Sequence, residues 1–228
     1  MRKKLLLVAT LIAGVAYGAA AQEPIKLGVR AGLNFDNQTS KFDSNSKTGD
    51  SKVGFHLGGI ADVPLANYAP SLPAWLYFQP GLYLTTKGTK SSETDEGYDS
   101  QGRTFEVKYT NTTSLYYLEV PLRALAKFTL TDDIKVNVNF GPAIGVAVSG
   151  KEKSEKSGGG QSGTETVNIF DDKDTGRFHF GLDFGGGIEY KQFYVGLGYD
   201  LGLSNMYTGD GDYSVKNSTF SINLGYSF

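Results

Sequence analysis

Along most of the chain, apolar residues occupy every second position, which is the period of a β-strand. Between Ile25 and Phe35 each odd position is apolar, and the even positions hold small or polar residues. The alternation recurs in seven further segments. The pattern therefore predicts an all-β protein with eight strands, over residues 25–35, 53–63, 76–84, 116–128, 134–148, 178–190, 193–203 and 220–228.

The face opposite the apolar positions indicates whether the strands lie in water or in lipid. It is rich in Gly and Asn and sparse in charge, whereas a water-soluble sandwich would place abundant Lys, Glu and Thr there. Small polar residues suit a narrow lumen, with the apolar face turned to lipid. Eleven residues tilted by about 40° span roughly 28 Å, close to the roughly 30 Å of a bilayer core. We expect an eight-stranded antiparallel up-and-down transmembrane β-barrel; a soluble lipocalin-like barrel is the alternative.

The predicted connections alternate in length, as in outer-membrane barrels. Short turns are expected at residues 66–74, 129–133 and 191–192. Long loops are expected at residues 37–52, 89–112, 149–176 and 205–217. This places four loops on the extracellular side and both chain ends on the periplasmic side.

The N-terminal segment has the features of an export signal. Basic residues at positions 2–4 precede an apolar stretch at 5–16 and three alanines at 19–21, the order found in cleaved secretory signal peptides. An uncleaved anchor is the alternative, but the apolar stretch is short. We predict a signal peptide over residues 1–21, cleavage between Ala21 and Gln22, and a barrel domain over 22–228.

Composition excludes several kinds of site. The chain has no cysteine, so disulfides, thiolate metal sites and a cysteine nucleophile are ruled out. Its two histidines are too few for a three-histidine metal site. The net charge of -2 gives no basis for a nucleic-acid partner. We expect no metal and no cofactor.

Strand alternation directs a set of ionisable side chains into the lumen. Eight strands leave an interior just wide enough for side chains to fill, and an isolated ion there is costly. We therefore predict a plugging polar network with Glu119 between Arg123 and Arg30 at its centre. A narrow pore lined by the same groups is the alternative. The predicted network comprises Arg30, His56, Asp62, Glu119, Arg123, Lys127, Asp183 and Glu189, and alternation also turns Lys87, His179 and Asp200 inward.

Other chemistry has weaker support. A barrel enzyme that hydrolyses or transfers acyl chains needs a nucleophile within hydrogen-bond distance of a base. In this chain, Ser149 or Ser204 would have to lie close to a histidine. We assign no catalytic residue. The segment 151–156, which reads Lys-Glu-Lys-Ser-Glu-Lys, is expected to be a solvated loop base that could meet lipopolysaccharide phosphates, although its alternating signs weaken that case.

Several segments resemble a known family. They are residues 76–83 (Leu-Tyr-Phe-Gln-Pro-Gly-Leu-Tyr), 117–122 (Tyr-Leu-Glu-Val-Pro-Leu), 141–145 and 199–205. In order and spacing they resemble the PorT-like outer-membrane β-barrel family. The resemblance implies a barrel in a bacterial outer membrane. The founding type is associated with a protein secretion system, a role that fold-level likeness does not transfer.

The last strand ends in Tyr226 and Phe228, which resembles the terminal aromatic signal read by the barrel-assembly machinery. We therefore expect that machinery as a partner during biogenesis. Outer-membrane lipid and lipopolysaccharide are the expected surroundings of a monomer, and the loops would meet a surface or secretion partner. The predicted role is non-enzymatic, at the surface or in envelope structure, with a small passive pore and a lipid-acting enzyme as alternatives.

Overall fold

The computed structural model describes residues 23–98, 101–209 and 211–228. The predicted signal peptide and its junction at Ala21 and Gln22 lie outside these residues. No helix in the described ranges is long and apolar enough to cross a membrane. The described ranges contain two short 3₁₀ helices, Leu65–Asn67 and Ile169–Asp171. The strands within the described ranges are β1 Lys26–Phe42, β2 Asn45–Thr48, β3 Lys52–Pro64, β4 Leu76–Tyr98, β5 Thr104–Thr129, β6 Ile134–Gly158, β7 Gln161–Asn168, β8 Phe178–Tyr190, β9 Phe193–Gly202 and β10 Tyr213–Ser227.

Eight of these strands, all from the described residues, close into one antiparallel ring. Neighbours follow chain order as β1, β3, β4, β5, β6, β8, β9 and β10. β10 then pairs with β1, from Gly28 opposite Ser227 to Phe42 opposite Tyr213. The short strands β2 and β7 attach to β1 and β6 at one end of the ring. The prediction of an all-β, eight-stranded, up-and-down barrel is confirmed.

The two faces of the wall are inverted relative to a soluble protein. Along β1, Leu27 and Leu33 are 54% and 52% exposed, while Arg30 and Asn34 are buried at 5% and 1%. The same exposure of large apolar side chains continues around the ring. A wall with apolar residues outside and polar residues inside is the arrangement that lipid requires.

Glycines on the inner face make room for large lumen side chains. A Cβ at Gly225 would overlap the guanidinium of Arg30, and one at Gly32 would overlap the ring of His56. The glycine-rich polar face of the sequence is therefore a packing requirement of the narrow interior.

The predicted long loops are wrong in extent. β4 and β5 remain paired as far as Tyr98 opposite Thr104, β6 continues to Gly158, and β7 folds back along it. Apolar alternation stops where the wall leaves the lipid, but backbone hydrogen bonds continue through Ser and Thr, which favour strands or tolerate them. We call residues 90–98, 104–114, 151–158 and 161–168 the crown sheet. The end of the barrel that carries it is the loop end, and the opposite end is the turn end.

The turn end agrees better with the prediction. Residues 130–133 and 191–192 form tight connections, and the longer one at 65–75 contains the first 3₁₀ helix. At the loop end, Gly159 and Gly160 turn β6 into β7 with φ of 59° and 76°. Glycine adopts this left-handed region without strain.

A β-bulge lies where β6 leaves the lipid-facing wall. Tyr117 is opposite Ala147, but Tyr116 is opposite Ser149, so Val148 is an extra residue in β6. One extra residue reverses which positions face outward. On the turn-end side of the bulge, the even-numbered residues of β6 face outward. On the loop-end side, the odd-numbered residues Lys151 and Lys153 face outward.

Candidate functional site

The lumen at the turn end holds a closed ionic cluster. Lys127 Nζ donates to Asp62 Oδ2 at 2.7 Å and to Glu189 Oε1 at 2.8 Å. Gln79 Nε2 donates to the second Asp62 oxygen at 2.7 Å, and Asn137 Nδ2 donates to Glu189 at 3.1 Å. Each of these residues comes from a different strand, β3, β4, β5, β6 or β8, so the cluster ties separate parts of the wall together.

The predicted centre of the network is wrong. Arg123 does not pair with Glu119; its Nη2 and Nε donate to Asp183 Oδ2 at 2.7 and 3.0 Å. Arg30 lies with Cζ 4.2 Å above the ring of Tyr194 and donates to the carbonyl oxygen of Val29. Because the strands are tilted, the position of a residue along the barrel axis depends on tilt and register. The alternation shows which side chains face the lumen, but it does not show which of them are in contact.

Glu119 instead belongs to a second cluster nearer the loop end. Lys87 Nζ lies 2.7 Å from Asp200 Oδ1 and 3.1 Å from Glu119 Oε2. His179 Nε2 lies 3.1 Å from Asp200 and 3.8 Å from Glu119. All four side chains are buried, and Lys87 is only 1% exposed. Lys87 is the cation that holds this cluster together, a role that the sequence pattern did not assign.

The loop-end cluster also has the donor types of a metal site. Glu119, His179 and Asp200 offer ligand atoms that all lie within 4.8 Å of one another. The ammonium of Lys87, however, lies at ion-pair distance from both carboxylates. It supplies the positive charge that a metal would bring, and a metal ion beside it would be repelled. We therefore interpret the cluster as a structural network of buried ion pairs.

An apolar cap lies above the loop-end cluster. Leu115, Tyr117 and Ala147 of the wall are buried, and connection residues pack against them. Arg177 Cζ lies 4.1 Å above the ring of Phe170, and the ring of Tyr117 stands edge-on to His179 at 5.7 Å. We call the set the apolar cap; its members are Leu115, Tyr117, Ala147, Ile169, Phe170 and Met206.

A polar cavity of about 80 Å³ remains between the two clusters. Its lining includes Arg30, His56, Arg123 and Asn223. Asn34 Nδ2 lies within hydrogen-bond distance of three oxygens, which identifies it as the donor end of the amide, so Asn34 Oδ1 accepts from His56 Nδ1 at 2.7 Å. The remaining His56 nitrogen, Nε2, has no hydrogen-bond partner among the described residues. The cavity is polar and large enough to accept water.

The arrangement required for a serine nucleophile is not formed. Ser204 Oγ accepts from the backbone amide of Phe180 at 2.9 Å and lies 3.4 Å from the Phe178 carbonyl oxygen. His179 is engaged with carboxylates inside the lumen, and His56 with Asn34. Neither histidine has a serine among its hydrogen-bond partners in the described residues.

The terminal aromatic residues are accessible at the turn end. Tyr226 packs edge-on against Phe193 and Phe228, with ring centres 5.4 and 5.3 Å apart. The Tyr226 hydroxyl donates to Gln192 at 2.9 Å. Phe228 is 71% exposed, so its ring is available to a binding partner.

An inverted eight-stranded wall around a packed polar lumen defines a small membrane β-barrel. A profile described as outer membrane protein beta-barrel domain matches residues 20–208. The chain belongs to the outer membrane protein β-barrel domain family. A search of curated proteins found no match.

A search of solved structures found, among others, three chains of low sequence identity that align with most of this chain. Ail, the attachment invasion locus protein of Yersinia pestis, is 14% identical, and the match covers 89% of this chain and 98% of that one with a TM-score of 0.31. Neisserial surface protein A is 14% identical, with 90% and 100% covered and a TM-score of 0.39. A major outer membrane protein from Thermus thermophilus is 18% identical, with 90% and 100% covered and a TM-score of 0.40.

Proposed function

We propose that this protein is a non-enzymatic, non-conducting barrel of a bacterial outer membrane that acts through its extracellular segments. The observation that carries the proposal is the filled lumen: two ionic clusters cross it, and the apolar cap lies over the loop end. A lumen filled in this way favours a structural or surface role over transport. The PorT-like assignment, based on the segments at 76–83 and 117–122, is part of this proposal.

Export and assembly complete the proposal. The segment 1–21 would direct export and be removed between Ala21 and Gln22. Tyr226 and Phe228 would then present the terminal signal to the barrel-assembly machinery. The accessible ring of Phe228 supports this role. The folded barrel would remain a monomer in outer-membrane lipid and lipopolysaccharide, with the crown sheet available to a surface or secretion partner.

Surface labelling tests the proposed orientation, and the cysteine-free chain makes the test clean. Ser162→Cys lies in the crown sheet and Ser71→Cys at the turn end, and both positions are exposed. On intact cells a membrane-impermeant maleimide should label Ser162→Cys only, and both variants should react after lysis. Labelling of Ser71→Cys on intact cells, or of neither variant until lysis, would contradict the proposal.

A small passive pore is the second candidate, and the polar cavity favours it. A pore would connect this cavity of about 80 Å³ to both ends of the barrel. Conductance across a planar bilayer distinguishes the two candidates, since a closed barrel carries no current and a pore gives discrete steps.

A further inference from the structure

The outer face of the crown sheet carries a lysine patch directly above the lipid-facing wall. Lys90, Thr112 and Lys153 are register partners across β4, β5 and β6, and Lys151 is opposite Ser114 in the next row toward the membrane. Adjacent strands are about 4.8 Å apart and alternate residues about 7 Å apart. The Cα atoms of the three lysines therefore lie within roughly 10 to 12 Å of one another, and all three side chains are exposed.

The β-bulge at Val148 determines the direction of two of these lysines. The lipid-facing side chains of β6 below it are even-numbered, among them Val146 and Val148, which are 51% and 56% exposed. Without the extra residue, Lys151 and Lys153 would continue the inward-facing series. The bulge therefore places them on the same outer face as the apolar residues below.

Charge is divided between the two faces of the crown sheet near the wall. Because the segment 151–156 is a strand, its residues alternate between the two faces: Lys151, Lys153 and Glu155 face outward, and Glu152 and Lys156 face inward. The expectation of a loop is therefore wrong for this segment, which is a strand, while the mixed sign holds on both of its faces. Glu93 and Glu165 also lie on the inward face, as the register requires.

Nearby acids leave the patch net positive. Lys153 Nζ contacts Glu155 Oε1 at 2.7 Å, but these side chains are 48% and 43% exposed, and such bridges are weak and exchange readily. Asp50 forms an isolated antiparallel β-bridge with Lys90, in which the two backbones are paired. Among the described residues, neither Lys90 nor Lys151 forms an ion pair.

The row of Lys151 lies at the height of a lipid headgroup, and the row of Lys90 and Lys153 lies just above it. Tyr116 is the last outward aromatic of β5 before Ser114 and Thr112 continue the same face toward the loop end. With a strand tilt of about 40°, the two lysine rows lie roughly 5 and 10 Å above Tyr116. The headgroup layer of one leaflet is about 5 to 7 Å thick, and lysine side chains extend toward such layers.

We propose that Lys90, Lys151 and Lys153 form a binding surface for the phosphate groups of an outer-leaflet lipid. Continuity with the apolar wall places acyl chains directly below the patch, and the positive charge matches phosphate. The hydroxyls of Thr112 and Ser114, between the lysines, are further donors to a phosphate. This inference rests on the proposed outer-membrane location, and it names the lipid class bound there.

Native mass spectrometry of the purified, refolded barrel tests the inference without relying on its location in cells. The probes are lipid A, which carries two phosphates, and the same lipid dephosphorylated. The test variant is Lys90→Gln/Lys151→Gln/Lys153→Gln. The matched control is Lys108→Gln/Lys156→Gln/Lys173→Gln, which removes three charges elsewhere on the loop end.

The unmodified protein should bind lipid A at least tenfold more tightly than the dephosphorylated lipid. The test variant should lose about tenfold or more of its lipid A affinity, since each surface lysine contributes about fivefold toward an anionic lipid. The control variant should change less than threefold. Equal losses in the two variants, no loss in the test variant, or equal binding of the two lipids would overturn the inference. The surface-labelling result is independent of these outcomes, so the two proposals can fail separately.

Discussion

Replacing Lys87 by Met tests the loop-end cluster most sharply. Lys87 Nζ contacts Asp200 at 2.7 Å and Glu119 at 3.1 Å, and the side chain is 1% exposed. Methionine keeps most of the volume and removes the charge, leaving two buried carboxylates close together. Removing one partner of a buried ion pair costs about 3–5 kcal/mol, and we expect a loss of that size in the free energy of unfolding.

Urea unfolding in lipid vesicles measures this loss. The folded fraction is followed by the heat-dependent gel shift and by the fluorescence of Trp75, the single tryptophan. Adding Glu119→Gln and Asp200→Asn to Lys87→Met should recover at least half of the loss, because the stranded charges are gone.

A matched control separates burial from charge. Lys47 pairs with Glu93 at 3.0 Å with side chains that are 77% and 67% exposed, so Lys47→Met should cost less than about 1 kcal/mol. If Lys87→Met cost no more than this control, or if neutralising both carboxylates recovered nothing, the account of the cluster would be refuted.

Three further predictions follow from the cap, the turn end and the terminus. Phe170→Ala should open the apolar cap and speed protease cleavage of refolded barrels at the loop end, whereas Phe42→Ala, at a residue already exposed, should leave the rate unchanged; equal rates in the two variants would count against the cap. Trp75 stacks on Phe128 at 5.7 Å at the turn end, so brominated lipids should quench it most when the bromine lies near the headgroup, and strongest quenching from the bilayer centre would contradict this depth. Phe228→Ala should lower the amount of heat-modifiable barrel in cell membranes, while the purified variant still refolds and Leu224→Ala does not lower that amount to the same degree; equal effects would remove the signal role.

The period of two in the sequence was sufficient to predict the number of wall strands and their topology. In the structure, Arg30, His56, Asp62, Glu119, Lys127, Asp183 and Glu189 are buried, and Arg123 lines the cavity. This worked because lipid imposes one rule on every outward position. Apolar exposure around the whole ring follows from that rule.

Pairing inside the lumen could not be predicted in the same way. Glu119 contacts Lys87 and not Arg123, because strand tilt and register determine which residues of β4, β5 and β9 lie at the same position along the barrel axis. Those quantities depend on the closed ring and have no local sequence signal. The extent of the crown sheet was missed for a different reason: a polar stretch follows each wall segment, so the long apolar alternation ends before the backbone pairing does, and only the short run Phe105, Val107 and Tyr109 resumes it in β5. The β-bulge at Val148 likewise has no glycine or proline at the extra residue to mark it.

Single-channel recording in a planar bilayer tests the central claim, that paired charges and the apolar cap close the lumen. Folding is first verified by the heat-dependent gel shift. The account predicts no discrete current steps from the folded, unmodified protein over the usual range of voltages. Reproducible steps whose ion selectivity changes on Lys87→Met would contradict it and identify the lumen charges as the lining of a pore.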